Sequence, residues 1–545
     1  MQSLSRSVLP LLLVASCGLR CGTDRTRVVD TGPFDADGDG YPAEYDCDDT
    51  DPTVHQGADE VCGDGVVNDC GATEANATAE CHVVGPDDAL ATFDMNASEL
   101  EDIRLAGVGD LDGDGHDDVA LGRTEVNLYE EKGGRTAAHA GGIYLFRGPL
   151  AGALGPDDAA GLIVGTEDWD CIGWDLVGLG DTDGDGLDDF AVGASDEMWG
   201  IVTDTPAVYR VDGPADIASI AEATTLVQGS PYTDCLGSVM AAVPDQDGDG
   251  ARDLLVGGQC AGEVHLLSAG GDETLVPGTD DLATFRGPSG ESRFGHAMDS
   301  GDFDADGLAD FAIGAPEVNE DFDAELGFVA VYVGAPRGSF SDEDADTIIA
   351  ATPGDTTSST GESDAALLGA SVSIGDLDGD GYDDLFAGAP WMNDGSTKSF
   401  FEYSGGAYVF LGPLAPTMGI PDADVAILGS MELEDTHVGG EGEAGTDLDG
   451  DGRHDLVFGN SYIEVDGDSS SAGGGRPHAW LFFGPLESGT RYVTDADVRF
   501  EGGEFYGFGH QVRVAGDTNG DCQPELLIGS WGPWLGLFEV HPGVY

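Results

Sequence analysis

Seven copies of one acidic nine-residue loop recur along this chain of 545 residues, and they constrain its fold more than any other feature. The first reads Asp110-Leu111-Asp112-Gly113-Asp114-Gly115-His116-Asp117-Asp118, and the others begin at Asp181, Asp245, Asp302, Asp376, Asp447 and Asp517. Successive starts lie 71, 64, 57, 74, 71 and 70 residues apart. Self-similarity at such a period marks a repeat architecture, in which each unit buries its apolar faces against its neighbours. Acids at loop positions 1, 3, 5 and 9 are spaced to converge on one hard cation. The carbonyl of position 7 adds an oxygen, and glycine at position 6 permits the sharp turn. That is the ligand logic of a calcium loop, so Ca2+ is the expected cofactor.

The expected ligand sets follow by position. The first loop offers Asp110, Asp112, Asp114 and Asp118, and the second Asp181, Asp183, Asp185 and Asp189. The third offers Asp245, Asp247, Asp249 and Asp253, and the fourth Asp302, Asp304, Asp306 and Asp310. The fifth has Asp376, Asp378, Asp380 and Asp384, and the sixth Asp447, Asp449, Asp451 and Asp455. Position 7 is held by His116, Leu187, Ala251, Leu308, Tyr382, Arg453 and Gln523, each expected to contribute only its backbone carbonyl. The seventh loop departs: its acids are Asp517, Asp521 and Glu525 with Asn519 at position 3, and Cys522 replaces the glycine. It is the loop expected to bind most weakly. Without a cation, four carboxylates in one turn repel one another.

Composition excludes some partners. Lys plus Arg number 20 against 105 Asp plus Glu, a formal charge of −85, and seven bound divalent ions would bring it only to −71. A surface this anionic repels phosphate backbones and anionic lipid, which rules against nucleic acid and against direct membrane adhesion. Excess acid of this kind also keeps a protein soluble in saline or calcium-rich surroundings.

The first residues read as an address. The apolar run from Val8 to Val14 is too short to span a bilayer. It ends in Val14-Ala15-Ser16-Cys17, which resembles a bacterial lipobox with Cys17 as the lipidated first residue of the mature chain; a plain secretory signal is the alternative. Either way the protein is expected to be exported, to the outer membrane or cell surface if lipidated, where disulfides persist. Cys47, Cys62, Cys70 and Cys81 form a cluster that allows three connectivities. Cys235 lies ten residues before the third loop starts and Cys260 seven after it ends, nearly opposite in a hairpin folded about that loop, so a bridge is expected there.

Each repeat carries a strand leading into the loop, an apolar strand leaving it (Val119-Ala120-Leu121, Phe311-Ala312-Ile313), a third such as Ala407–Leu411, and a fourth such as Val425–Leu428. Four strands per period build a propeller blade, and the fold class expected is all-β, a seven-bladed β-propeller. An open β-roll is the rival, but its repeats are only about nine residues long. The last repeat ends after its third strand, Leu535–Val540, while Pro86-Asp87-Asp88-Ala89 repeats the Pro156-Asp157-Asp158-Ala159 that introduces a fourth strand. The strand Leu90–Phe93 is therefore expected to complete the seventh blade and close the ring, leaving no open sheet edge.

The pattern resembles the FG-GAP repeats of the integrin alpha-chain propeller. Its namesake residues stand as Phe294-Gly295 with Gly314-Ala315-Pro316, and as Gly369 with Gly388-Ala389-Pro390. The likeness covers residues 86–545, and it implies the propeller and an extracellular binding role. Several integrin repeats lack a calcium loop, whereas all seven carry one here, so ligand specifics do not transfer.

Ahead of the propeller, Asp35, Asp37, Asp39 and Asp46 occupy positions 1, 3, 5 and 12 of a twelve-residue loop. With the cysteines that follow, residues 35–85 resemble a MopE-type metal-binding segment, and the first half is similar to thrombospondin type 3 repeats. The resemblance implies copper as one candidate, with His55 and His82 the only imidazoles nearby; the oxygen donors prefer calcium. Residues 1–16 read as signal and 17–34 as linker.

The sequence holds no G-x-S-x-G elbow, H-E-x-x-H helix or P-loop. The leading expectation is a non-enzymatic, calcium-stabilised adhesion or binding module for an extracellular protein or glycan. The alternative is a hydrolase or lyase acting on an extracellular polymer, marked by paired acids in a central pocket. Copper capture by the N-terminal motif is a third. The binding face is expected opposite the acidic loops, where Trp169, Trp199, Trp391, Trp531 and Trp534 fall in connections; packing of these rings beneath their own loops is the other reading.

Overall fold

A computed structural model describes residues 82–95, 103–124, 128–129, 136–137, 139–195, 206–230, 235–271, 273–288, 292–317, 326–352, 366–392, 405–429, 437–460, 478–502, 507–530 and 534–540. The chain divides into two compact units, and all described residues belong to the one formed by 59–67 and 72–545. The N-terminal acids Asp35, Asp37, Asp39 and Asp46, the lipobox with Cys17, the clustered cysteines, Trp199 and Trp531 lie outside the described residues.

Seven antiparallel sheets follow one another, each opening with a strand that enters an acidic loop and a strand that leaves it. Blade 1 is Ile103–Gly109, Asp118–Arg123, Gly142–Phe146 and Gly161–Val164. Blade 5 repeats it as Ser371–Gly375, Asp384–Ala389, Gly406–Phe410 and Val425–Leu428. The second strand of a blade reads as an unbroken apolar run because both its faces are covered by neighbouring blades; Phe311, Ala312 and Ile313 are fully buried. The core is accordingly seven slabs, each shared by two adjacent blades: one joins Leu255 and Phe285 of blade 3 to Phe294 and Phe311 of blade 4. The seventh joins Leu527 and Leu537 to Leu105 and Val119, so the ring is closed.

Closure is made by the N-terminal strand, as the sequence predicts. Ala91–Asp94 pairs antiparallel with Trp534–Phe538, Ala91 opposite Leu537 and Phe93 opposite Leu535, and so forms the fourth strand of blade 7. The ring begins earlier than the boundary read at 86, because His82–Val84 pairs in parallel with Val498–Glu501 on the outer edge of blade 6. This latch recurs. Gly152–Leu154 of blade 1 adds to Ala91–Asp94, Gly338–Ser341 of blade 4 to blade 3, Thr417–Gly419 to blade 4 and Gly489–Tyr492 to blade 5. Single parallel bridges, Val164 to Ser219 and Val227 to Leu275, do the same for blades 1 and 2. Every outer edge is thus covered by the next blade.

The glycines of the repeat signature have a steric cause. A Cβ on Gly388 would lie 2.1 Å from the carbonyl oxygen of Gly439 in the next blade, and one on Gly314 2.2 Å from that of Gly369. Backbone meets backbone there, and no side chain fits. The expected bridge is present: Cys235 and Cys260 are disulfide-bonded with Cα atoms 5.5 Å apart, just beyond the Val239–Gly257 pair of blade 3. Among the described residues no helix is long and apolar enough to cross a membrane.

Candidate metal centre

All seven acidic loops turn between the first and second strands of their blades, so they share one face of the ring. Position 1 organises each turn. In the first loop Asp110 Oδ1 accepts the N–H groups of Gly113 (2.7 Å) and Asp114 (3.1 Å), and Oδ2 that of Gly115 (2.9 Å). The seventh loop follows the same path despite Cys522, which takes a φ of 71° and donates its N–H to Asp517 Oδ2 at 2.8 Å.

The predicted ligands come together. Ligand atoms of Asp110, Asp112 and Asp114 lie within 4.8 Å of one another, as do those of Asp245, Asp247 and Asp249, and of Asp302, Asp304 and Asp306. In the second and fifth loops the close group includes position 9, as Asp181, Asp183, Asp189 and Asp376, Asp378, Asp384. Two oxygens each about 2.4 Å from one calcium ion are at most about 4.8 Å apart, so the spacing suits that ion. The position-7 residues give their N–H groups to the position-5 carboxylate, as His116 does to Asp114 at 3.0 Å and Gln523 to Asp521 at 2.9 Å. His116 does more than expected of it: Nδ1 lies 3.1 Å from Asp114 Oδ1, and this hydrogen bond lowers the Asp114 carboxyl.

Position 9 has a structural role beside its candidate ligand role. Asp118 Oδ2 accepts the N–H of Leu111 (3.2 Å) and Oδ1 that of Gly148 (2.9 Å), tying the loop to the turn after the third strand. Asp384 and Asp455 repeat this with Gly412 and Gly484. Burial pushes these carboxyls up, Asp118 and Asp310 to about 6, and Asp253, Asp384, Asp455 and Glu525 to about 7. In the third loop Asp253 is wholly buried, and its Oδ1 has no hydrogen-bond partner. An orphaned buried carboxylate oxygen beside an all-oxygen donor set fits a hard cation.

Three features were missed in the sequence. Arg147 places Nη1 3.0 Å from Asp118 Oδ2 and 3.5 Å from Asp112 Oδ2, so the first loop already holds a cationic group. Position 8 carries the braces described below. The third lies on the axis, where the innermost strands of the blades meet. Arg513 Nη1 sits 2.9 Å from Glu441 Oε2 and 3.9 Å from Glu443 Oε1, and Arg104 Nη1 3.8 Å from Glu441 Oε1. The Arg104 guanidinium lies over the Trp174 ring, 5.3 Å from its centroid. Asp175 and Asp299 stitch successive innermost strands by accepting the N–H groups of Met240 (2.7 Å) and Ile374 (2.8 Å). Burial raises Glu443 to about 7 against the pull of Arg513.

The described tryptophans do not form an exposed platform. Trp169 stacks on His139 with centroids 4.2 Å apart, and Trp391 is half-buried. Trp534 is the first residue of a strand rather than part of a connection, and is buried against Phe508.

Ring and loops together define an acidic-loop, seven-bladed β-propeller. The chain carries FG-GAP repeats: that family matches residues 294–332 and 368–410, the blades in which the signature glycines were read. A MopE-type metal-binding motif matches residues 46–73. Among curated relatives, integrin alpha-5 of Xenopus laevis is 27% identical over 243 residues, 43% of this chain and 21% of that protein. Integrin alpha-IIb of Homo sapiens is 31% identical over 191 residues, 34% of this chain and 17% of that one. Phosphatidylinositol-glycan-specific phospholipase D of Rattus norvegicus is 35% identical over 176 residues, 30% of this chain and 19% of the enzyme. The chain therefore spans about a fifth of the length of the curated relatives it matches.

Proposed function

We propose that this protein is an exported, calcium-stabilised binding module that holds an extracellular protein or glycan on a rigid propeller and performs no chemistry itself. The observation that carries the reading is the convergence of acidic side chains within single loops on one face of the ring. Calcium there serves the fold. A site with a dissociation constant of about 0.1 mM in about 1 mM calcium adds about 1.4 kcal/mol, and seven such sites approach about 10 kcal/mol, as much as a domain's whole stability. The face opposite the loops is left for a partner, and a lipid at Cys17 would hold the module at the membrane. The test is equilibrium dialysis against calcium, with capture of a partner on arrays of glycans and surface proteins. A protein that retains no calcium at millimolar concentrations would sink the reading.

A hydrolase reading has one observation in its favour, the pair Glu441 and Glu443 on the axis. Against it, Arg513 and Arg104 pair with these carboxylates, an arrangement that suits a structural ion-pair network. The phospholipase relatives align over about a fifth of their length, so their activity does not come with the likeness. Glu443→Gln separates the two readings, since it abolishes any polymer cleavage while leaving partner capture intact.

A further inference from the structure

We infer that side chains at the eighth loop position link the seven acidic loops into two groups of three and leave the third loop alone, so that cations enter each group together. The inference rests on the calcium reading above. It concerns residues that are not themselves expected ligands.

Asp188, at position 8 of the second loop, accepts the N–H of Asp110 on Oδ2 at 2.9 Å, and its own N–H donates to the Asp110 carbonyl at 3.1 Å. Asp110 is the first ligand position of the preceding loop. The two-point brace therefore ties a ligand of one loop to the segment between ligand positions 7 and 9 of the next. Asp117 braces Asp517 in the same way (2.8 and 2.9 Å), and Asp383 braces Asp302 (2.7 and 3.1 Å). His454 holds Asp376 through Nδ1, which accepts its N–H at 2.9 Å. Loops 7, 1 and 2 are thereby chained, and so are loops 4, 5 and 6.

At the three remaining joins, position 8 is Arg252, Ala309 and Pro524, and none of these side chains offers a hydrogen-bond acceptor. A second observation follows the same division at every loop but one. Each loop braced at its first position is preceded by a glycine (Gly109, Gly301, Gly375, Gly516), whereas of the three unbraced ones the third and sixth follow Pro244 and Thr446 and the second keeps Gly180. The cause is steric: a Cβ on Gly109 or Gly516 would lie 2.1 Å from the bracing carboxylate oxygen. The third loop also differs within itself. Its Asp253 lacks the glycine N–H that Asp118, Asp189, Asp384 and Asp455 receive on Oδ1.

Coupling arises because a cation fixes the position-1 residue, and that residue's N–H and carbonyl order the next loop through the brace. The next cation then meets a loop already ordered, which is positive cooperativity without a change of fold.

The experiment is equilibrium dialysis of the full chain with radioactive calcium, at a free concentration near the wild-type midpoint, with folding checked by circular dichroism in saturating calcium. Asp378→Ala, which removes a ligand from the fifth loop, is expected to cost bound calcium from loops 4, 5 and 6; Asp247→Ala, in the third loop, is expected to cost one ion. In the otherwise native chain, Asp383→Ala is expected to lower the steepness of the binding curve and weaken loop 4 roughly tenfold. Asp383→Asn, whose amide oxygen accepts the same N–H, keeps wild-type steepness. Loss of a single ion in Asp378→Ala, or identical curves for the two Asp383 variants, would overturn the coupling and leave the calcium reading standing. A wild-type chain that binds no calcium would overturn both.

Discussion

Asp117 and Asp517 stand 400 residues apart in the chain and are joined by two hydrogen bonds, Asp517 N–H to Asp117 Oδ2 at 2.8 Å and Asp117 N–H to the Asp517 carbonyl at 2.9 Å. They lie on either side of the seam where the ring closes, so the acidic face helps to lock the ends of the chain. Gly516 makes this possible. Its φ is 84°, and a Cβ there would lie 2.1 Å from Asp117 Oδ2. Gly516→Ala is expected to cost about 2 kcal/mol or more, from strain at positive φ and from the displaced carboxylate. Gly278→Ala, at a φ of 73° with nothing within 4 Å, carries the backbone strain alone. Urea midpoints of the two variants give the brace by difference, and equal midpoints would show that it contributes nothing.

The seam also depends on the N-terminal strands. A chain shortened up to residue 80 keeps the strand Ala91–Asp94 and the latch His82–Val84, and is expected to melt close to the full chain. Removal through residue 85 takes the latch from blade 6 and lowers the melting temperature by about 1 °C, the shift that about 1 kcal/mol for a short edge pairing produces in a ring of this size. Removal through residue 95 uncovers the edge of Trp534–Phe538 and exposes the apolar contacts of Phe93 and Met95, which are fully buried. That chain is expected to lose cooperative melting or to aggregate. Equal melting of the three chains would refute closure by this segment.

What was legible in the sequence follows from period. The loops repeat, their flanking strands are apolar, and Pro86–Asp88 copies Pro156–Asp158 closely enough to reveal the displaced fourth strand. The braces were not legible, because Asp117, Asp188 and Asp383 lie within runs of acids, and only their reach into a neighbouring blade sets them apart. The latches were missed because strands such as Gly489–Tyr492 are short and polar, and pair in parallel with a blade they do not belong to. Glu441 and Glu443 alternate along their strand as water-facing residues do. The ring instead brings them together with Arg513 on its axis, which the strand alone does not reveal. Trp534 was misplaced because the third strand of the last repeat reads as starting one residue later, at Leu535, whereas its ring packs with Phe508 and Phe538 in the slab between blades 6 and 7.

Calcium and magnesium are expected to differ sharply. Ligand oxygens within 4.8 Å of one another, drawn from flexible carboxylates, suit six to eight oxygens at about 2.4 Å. Magnesium needs near-octahedral geometry at about 2.1 Å and gives up its waters reluctantly. Stripping calcium with excess chelator is therefore expected to lower the melting temperature strongly, calcium to restore it, and equimolar magnesium to restore little. The check is a melt in each condition beside metal analysis of the same sample. Full recovery in magnesium would mean that the loops are not built for the larger ion.

Acid should act in opposite directions on the stripped and the loaded protein. Burial raises Asp253, Asp384, Asp455 and Glu525 to about 7 and Asp118 and Asp310 to about 6, all above the values of an unfolded chain near 4. Between those limits the folded state binds more protons than the unfolded one, so stability falls as pH rises from about 4 to about 7 and levels off above. The stripped protein is therefore expected to melt higher at pH 5 than at pH 7.5. Relief of the −85 net charge acts in the same direction, but about 1 M salt screens that general repulsion and leaves the buried groups unscreened, so the slope should persist there. With calcium bound, the ion compensates the ionised carboxylates, and protons compete with it. The loaded protein is then expected to melt lower at pH 5 than at pH 7.5, and the two curves to cross. Parallel curves in high salt would show that the position-9 carboxylates are not held in contention between a proton and a cation.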